Sequence, residues 1–167
     1  FKQKTAYEIR PRDWSSDVCS SDLAEGIDSA AHMGALESSH TIPTIAVCGT
    51  SLDKCYPTKN RTLFEKINQI GLLISEYPPG TATKPFFFPQ RNRLIAALSL
   101  GTLVVEAATK SGSLITAKCA NELGREVFAI PNSISRLSSA GCHQLIKDGA
   151  KLTEKPSDIF DELRFFA

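Results

Sequence analysis

The chain lacks the short motifs that mark the commonest hydrolases and nucleotide-triphosphate enzymes. It has no His-Glu-x-x-His pair for zinc, no Walker lysine motif and no Gly-x-Ser-x-Gly elbow. Long apolar runs are missing too, and none approaches the ~20 residues that a membrane helix needs. The first residues are polar and mixed in charge, so no signal peptide is visible. The five cysteines (Cys19, Cys48, Cys55, Cys119 and Cys142) make neither a Cys-x-x-Cys pair nor a Cys/His metal spacing, and five is an odd number. They read as reduced thiols of a cytoplasmic protein, with no metal and no cofactor expected. An excess of one charge sign is absent as well. Nineteen Lys and Arg face eighteen Asp and Glu, a net charge of +1, so nucleic-acid binding has to come from a local patch.

What is present is an ordinary globular composition of 167 residues, enough for one domain with a sizeable core. Patterning therefore decides the fold class. Asp28 is a plausible N-cap for a helix to about Ser38, and Thr44 to Cys48 is a β-branched strand ending at Gly49. A helix is expected over Thr58 to Ile70, with Leu63, Phe64, Ile67 and Ile70 at helical spacing, and then a strand at Leu72 to Ser75. Glu76 to Phe88 is a proline-restricted loop closed by Phe86, Phe87 and Phe88. At least two of those rings are expected to pack in the core, and the sharper reading gives one ring a face on which a base stacks. A helix opening at Pro89 carries Arg91, Asn92 and Arg93. A strand at Thr102 to Val105, a helix from Ser113 to about Leu123 and a strand at Val127 to Ile130 follow. A serine-rich loop, a helix over Ala140 to Asp148, a strand at Ala150 to Leu152 and a helix capped by Ser157 and ending near Arg164 complete the chain. Strand and helix alternate throughout, which predicts an α/β fold with a parallel sheet and helices on both faces. Ligands of such sheets bind at the carboxyl ends of the strands, near Gly49, Glu76, Glu106 and Pro131.

The chemistry concentrates between Lys84 and Thr116. Lys84, Arg91 and Arg93 have no carboxylate among them, a local charge of about +3. Arginine grips phosphate as a fork and lysine as a point charge. Ser111, Gly112 and Ser113 offer N–H groups and hydroxyls at a helix start, with Thr116 one turn in, an arrangement suited to phosphate. Gly49 leaves room beside them. Asn92 would bond a phosphate or pin its own loop. The alternative for either arginine is an internal pairing with Glu106 or Glu76. Asp28 and His32 share a helix face, where a local hydrogen bond is the simpler reading and an acid–base pair the other. Cys142 and His143 point apart on a helix, His40 reads as a loop residue, and no catalytic residue is assigned.

Residues 1–23 show no apolar periodicity and hold the only tryptophan. They resemble the conceptual translation of sequencing-adapter oligonucleotides, which makes them a non-native leader to a chain beginning at Ala24. From Ala24 to about Leu152 the sequence resembles the Rossmann-like domain of the DNA-processing protein A (DprA/Smf) family. The matching pieces are Ala-Glu-Gly-Ile-Asp-Ser-Ala-Ala-His at 24–32, Ala-Val-Cys-Gly at 46–49, Tyr-Pro-Thr-Lys-Asn at 56–60 and Ile-Ser-Glu-Tyr-Pro-Pro-Gly at 74–80. Phe-Pro-Gln-Arg-Asn-Arg at 88–93, Val-Glu-Ala at 105–107, Ser-Gly-Ser-Leu-Ile-Thr-Ala at 111–117 and Leu-Ile-Lys-Asp-Gly-Ala at 145–150 follow in family order.

That resemblance implies a Rossmann-like domain missing its first strands, with 153–167 a terminal helix and tail too short for a winged helix. It implies a binding protein and not an enzyme: single-stranded DNA as ligand, RecA loading in natural transformation, a homodimer, and no membrane. The rival is an enzyme like the lysine-decarboxylase-like phosphoribohydrolases, whose Pro-Gly-Gly-x-Gly-Thr turn is absent here; a nucleotide-binding regulatory module is a third reading. The family's Gly-x-Arg turn is missing, and Ser21 and Asp22 stand where the family has Ser-Gly. The chain as written is accordingly expected to be poorly stable and to bind DNA weakly. Thermal melting and oligonucleotide titration beside an intact homologue check this, and cooperative melting with homologue-like binding would refute it.

Overall fold

A computed structural model of the chain describes residues 19–38 and 41–163. It divides between Arg91 and Asn92 into two compact units. In the first, β1 (Cys19–Ser21), α1 (Ile27–Leu36), β2 (Thr44–Val47), α2 (Arg61–Ile70) and β3 (Leu72–Ile74) alternate. The strands are parallel in the order β1-β2-β3, with Ser20 opposite Ile45 and Ala46 opposite Leu73. Leu23, Ala46, Cys48, Leu63 and Ile67 form the core, and Leu36, Phe64 and Leu73 pack against it. The apolar stripe read on α2 buries Leu63 and Ile67, but Ile70 at its end is half exposed.

The helix α3 (Phe87–Ala97) leads into the second unit, where β4 (Gly101–Val104), α4 (Ser113–Glu122), β5 (Glu126–Ala129), α5 (Ala140–Lys147), β6 (Lys151–Leu152) and α6 (Pro156–Leu163) follow. Its strands are again parallel, ordered β4-β5-β6. Its core is alanine-rich: Ala96, Ala107, Ala117, Ala120 and Ala129 surround Val104, Val127 and Cys142. Small side chains let α4 and α5 lie close to the sheet. Gly141 shows how close. Its N–H donates to the Ala107 carbonyl at 2.8 Å, and an added Cβ would stand 2.7 Å from that oxygen and 2.8 Å from the Ala108 oxygen.

The α/β, Rossmann-like class expected from the alternation is the class observed, but the six strands hydrogen-bond as two three-stranded sheets. Each sheet has its own carboxyl edge. Four boundaries differ for identifiable reasons. Patterning offers no element before Ala24, because a three-residue strand is too short to show alternation; β1 lies there. The N-cap of α1 is Gly26 and not Asp28, whose side chain is used elsewhere. Pro89 is the third residue of α3, still within the first turn, where a missing N–H costs nothing. At α6, Asp158 and not Ser157 makes the cap, accepting the Glu154 and Lys155 N–H groups at 2.9 and 3.1 Å.

Because the two oxygens facing Gly141 belong to the backbone, they cannot swing aside. Gly141→Ala is expected to destabilise the chain by about 1–3 kcal/mol through overpacking. Urea unfolding checks this, and an unchanged midpoint would show that the α5 start moves without cost.

Candidate nucleic-acid interface

The carboxyl ends of β1 and β2 converge on one cation. Arg91, 3% exposed, donates through Nη1 to the Val47 carbonyl and through Nη2 to Asp22 Oδ2 at 2.8 Å. The Phe88 ring lies 6.0 Å from the guanidinium carbon. Burial pushes the Arg91 pKa down, and Asp22, Cys48 and Asp28 oppose that in this order. The internal partner foreseen for Arg91 was Glu76 or Glu106; Arg91 forms an ion pair with Asp22, a residue far away in sequence but adjacent at the end of β1.

Around this pair a polar web fills in. Ser21 donates its hydroxyl to Asp28. Burial and then the nearby Asp22 push the Asp28 carboxyl above its ordinary range, while Ser21 and Arg91 act the other way. His32 is fully buried, with Nδ1 2.6 Å from the Thr44 hydroxyl, which itself donates to the Cys19 carbonyl at 2.9 Å. Thr44 has spent its proton on Cys19, so His32 carries hydrogen on Nδ1. Its Nε2 has no hydrogen-bond partner among the described residues. The Asp28–His32 bond expected from their spacing is therefore not formed: each side chain serves a strand instead. Asn60 donates to the Leu23 carbonyl and the Ser29 hydroxyl, both at 2.7 Å, and so fixes the turn after β1. Sequence reasoning passed over Asn60 and Asp22; the only signal for Asn60 was its place in the Tyr-Pro-Thr-Lys-Asn run.

The first unit also holds Gly49, Lys84 and the aromatic run. Gly49 does not leave a ligand room, because a Cβ there would sit 2.7 Å from the Phe88 ring. Phe87 is buried and stacked on Tyr77 at 3.8 Å, Phe88 is half-buried, and Phe86 is 51% exposed. One ring, not two, is thus fully core, and Phe86 keeps an open face. Lys84 is exposed, with Nζ 5.7 Å from the Phe86 centroid.

The second unit holds the rest. Asn92 is buried and donates to the Gly112 carbonyl at 3.5 Å, so it pins the turn before α4. Ser111 Oγ accepts the Ser113 N–H at 3.4 Å, and Ser113 and Thr116 are half-buried on the first turn of α4. Gly112 is exposed at φ −59°, ψ −28°, a conformation any residue adopts, and among the described residues, its chain neighbours and own helix backbone apart, no atom lies within 4 Å of where its Cβ would be. Neither backbone nor packing requires glycine there; an approaching ligand would. Arg93 is exposed on α3. Cys142 donates to the Val104 carbonyl while His143 Nε2 meets the Asn132 carbonyl at 2.9 Å, so the two side chains diverge. His40 lies outside the described residues. Among the described residues no cluster of His, Cys, Asp or Glu suits a metal ion, and no helix is long and apolar enough to cross a membrane.

These features define an α/β protein of Rossmann-like fold with a buried arginine at strand ends and a small polar turn at a helix start. The family model described as DNA recombination-mediator protein A matches residues 3–164, and the chain belongs to that family. It is 51% identical to DNA processing protein DprA of Streptococcus pneumoniae over 148 residues, which is 89% of this chain and 52% of that protein. It is 47% identical to protein Smf of Escherichia coli, over 87% of this chain and 38% of that one. The chain thus spans about half or less of these relatives. Among solved structures, pneumococcal DprA superposes with a TM-score of 0.87 at 46% identity, covering 97% of this chain and 57% of that one. The DNA processing protein A of Helicobacter pylori, studied for its single-stranded DNA binding mode, gives 0.84 at 31% identity, covering 97% and 73%.

The buried histidine sets an acid limit on the fold. Burial pulls His32 from its ordinary 6.5 to about 4, with Asp22 and the Ser21 backbone opposing. Between those values the unfolded chain binds a proton that the folded chain refuses, so stability rises with pH there. The contribution is complete above about pH 6.5 and falls by up to about 3 kcal/mol as pH drops towards 4. In His32→Gln the loss of unfolding free energy between about pH 7.5 and 4.5 is expected to shrink by about 2 kcal/mol; an unchanged loss would move the acid sensitivity to other groups.

Proposed function

We propose that this chain is the DNA-gripping part of a DNA-processing protein, holding single-stranded DNA by its phosphates with little base preference. The observation that carries the reading is the start of α4. Gly112 is open, unstrained and uncrowded, Ser111 and Ser113 flank it, and Asn92 holds it from behind. Backbone N–H groups at such a helix start donate to phosphate oxygens. Arg93 on α3 adds an exposed cation, and in the first unit Lys84 beside the open Phe86 face supplies a charge and a stacking platform. The likeness to the H. pylori protein supports the same ligand.

The rest of the reading rests on the family resemblance: a cytoplasmic, non-enzymatic protein of natural transformation, acting as a homodimer and loading RecA. It takes residues 24–152 as the DNA-processing domain, 1–23 as a non-native leader and 153–167 as a tail. Turnover of a nucleoside monophosphate would favour the phosphoribohydrolase-like alternative.

Fluorescence anisotropy of a labelled oligo-thymidine strand tests the reading. Binding is expected to weaken steeply with salt, and Lys84→Ala/Arg93→Ala to lose about tenfold or more at low salt. Gly112→Ala is expected to leave unfolding free energy within about 1 kcal/mol while weakening binding, because the added methyl projects into open space. No binding by the unsubstituted chain at any salt sinks the reading; binding indifferent to all three substitutions sinks the assignment of the residues.

A further inference from the structure

We infer that Tyr56 is a second base-stacking platform, so that the first unit offers faces to two bases of a single strand and not to one. The inference rests on the single-stranded DNA reading above and adds to it the ring that receives the further base.

Exposure singles the ring out. Among the described residues two aromatic side chains are more than half exposed, Tyr56 at 55% and Phe86 at 51%. A lone exposed ring is ordinary on a protein surface. These two stand on the same aromatic run. Phe86 meets Phe87 with ring centroids 4.9 Å apart at 82°, and Tyr56 meets Phe88 at 5.2 Å and 42°. Phe87 and Phe88 are consecutive residues, so each exposed ring leans on one of two neighbours. Neither contact is a flat stack, so neither partner closes the exposed ring off from solvent. Every nucleobase has a π-face, and aromatic side chains beside a cation hold single strands by such faces without reading sequence. Lys84, with Nζ 5.7 Å from the Phe86 centroid, is the cation on this surface.

The support behind Tyr56 is fixed. Phe88 fills the space that a Cβ on Gly49 would need, so its ring is set against the end of β2. The segment from β2 to Tyr56 is tied down along its length. Thr50 Oγ1 donates to the Lys54 carbonyl at 3.1 Å, and the Lys54 N–H donates to the Ser51 carbonyl at 3.1 Å. Ser75 Oγ donates to the Thr50 carbonyl at 2.7 Å and holds this segment to the end of β3. Beyond Tyr56 the Asn60 N–H donates to the Pro57 carbonyl at 3.0 Å. Tyrosine has only two side-chain torsions, so a ring mounted on such a backbone loses little freedom when a base covers it. The segment leaves the carboxyl end of β2, where ligands of parallel sheets bind.

The test titrates labelled oligo-thymidine, and an abasic sugar-phosphate strand of the same length, against the full chain and its Tyr56→Ala, Tyr56→Leu and Tyr56→Phe variants at low salt. On oligo-thymidine, Tyr56→Ala and Tyr56→Leu are expected to bind at least about fivefold more weakly, and Tyr56→Phe within about twofold of the unsubstituted chain, because stacking needs the ring and not the hydroxyl. The dependence of affinity on salt is expected to stay the same in all three, whereas Lys84→Ala/Arg93→Ala flattens it. On the abasic strand the four proteins are expected to bind alike. Tyr56→Leu keeps an apolar side chain against Phe88, so it decides should Tyr56→Ala fail to fold. Undiminished binding of oligo-thymidine by Tyr56→Leu overturns the inference and leaves the DNA reading standing. A loss of equal size on the abasic strand overturns it too, since Tyr56 would then support a phosphate contact and not a base. If the unsubstituted chain binds neither strand, both the inference and the reading fall.

Discussion

A buried guanidinium makes heavy demands on what surrounds it, and Arg91 organises the first unit by making them. A charge taken out of water is tolerated only when hydrogen-bonded and paired, and removing one partner of such a pair typically costs several kcal/mol. Here the partners are the Val47 carbonyl at the end of β2 and the Asp22 carboxylate at the end of β1. The side chain thereby ties two strand ends to α3. Asp28 lies close to that carboxylate, so burial first and Asp22 next hold its proton more tightly, while the Ser21 hydroxyl donates to it. His32 lies a turn further along α1, shut away neutral between β1 and β2. Burial drives the shifts of both Asp28 and His32, and Asp22 adds to the first and opposes the second.

Much of the fold was legible because its elements obey simple periods. The β-branched strand at Thr44, the amphipathic stripe on α2 and the break at Gly71 fall where patterning puts them, since each arises from local sterics and burial. The β1 strand was not legible: three residues cannot display a period, and its pairing with β2 spans a whole helix. The site shows the same division. Ser111, Gly112 and Ser113 are neighbours in one turn and were found together, whereas Asn92 reaches that turn from 20 residues away. Arg91 was recognised as important, but its partner lies 69 residues away and no local rule points to Asp22. Gly49 was misread for a related reason: a glycine that admits a ligand and a glycine that admits a phenylalanine look identical until the ring is placed.

The two glycines also separate two uses of the same residue. At Gly49 the space a side chain would need is filled by Phe88, which carries the aromatic run against the end of β2. At Gly112 the space is empty and the backbone ordinary, so what the residue preserves is access to the main chain at a helix start. The first is a packing constraint and would be felt in stability. The second is felt only by whatever approaches.

The alanine lining of the second unit carries a consequence for how this half of the chain can vary. Alanine has no rotamers to lose on folding, so a core built from it reaches its packed state with little side-chain entropy to overcome. The same feature leaves no slack. An interior lined largely by methyls, with Leu114, Leu145 and Ile146 only at its margin, has few long side chains that can swing aside to accept a larger neighbour. Variation in this unit is therefore expected to collect on the outward faces of α4 and α5 and in the exposed loop around Ile134 and Leu137, while Ala107, Ala117, Ala120 and Ala129 admit almost no alternative.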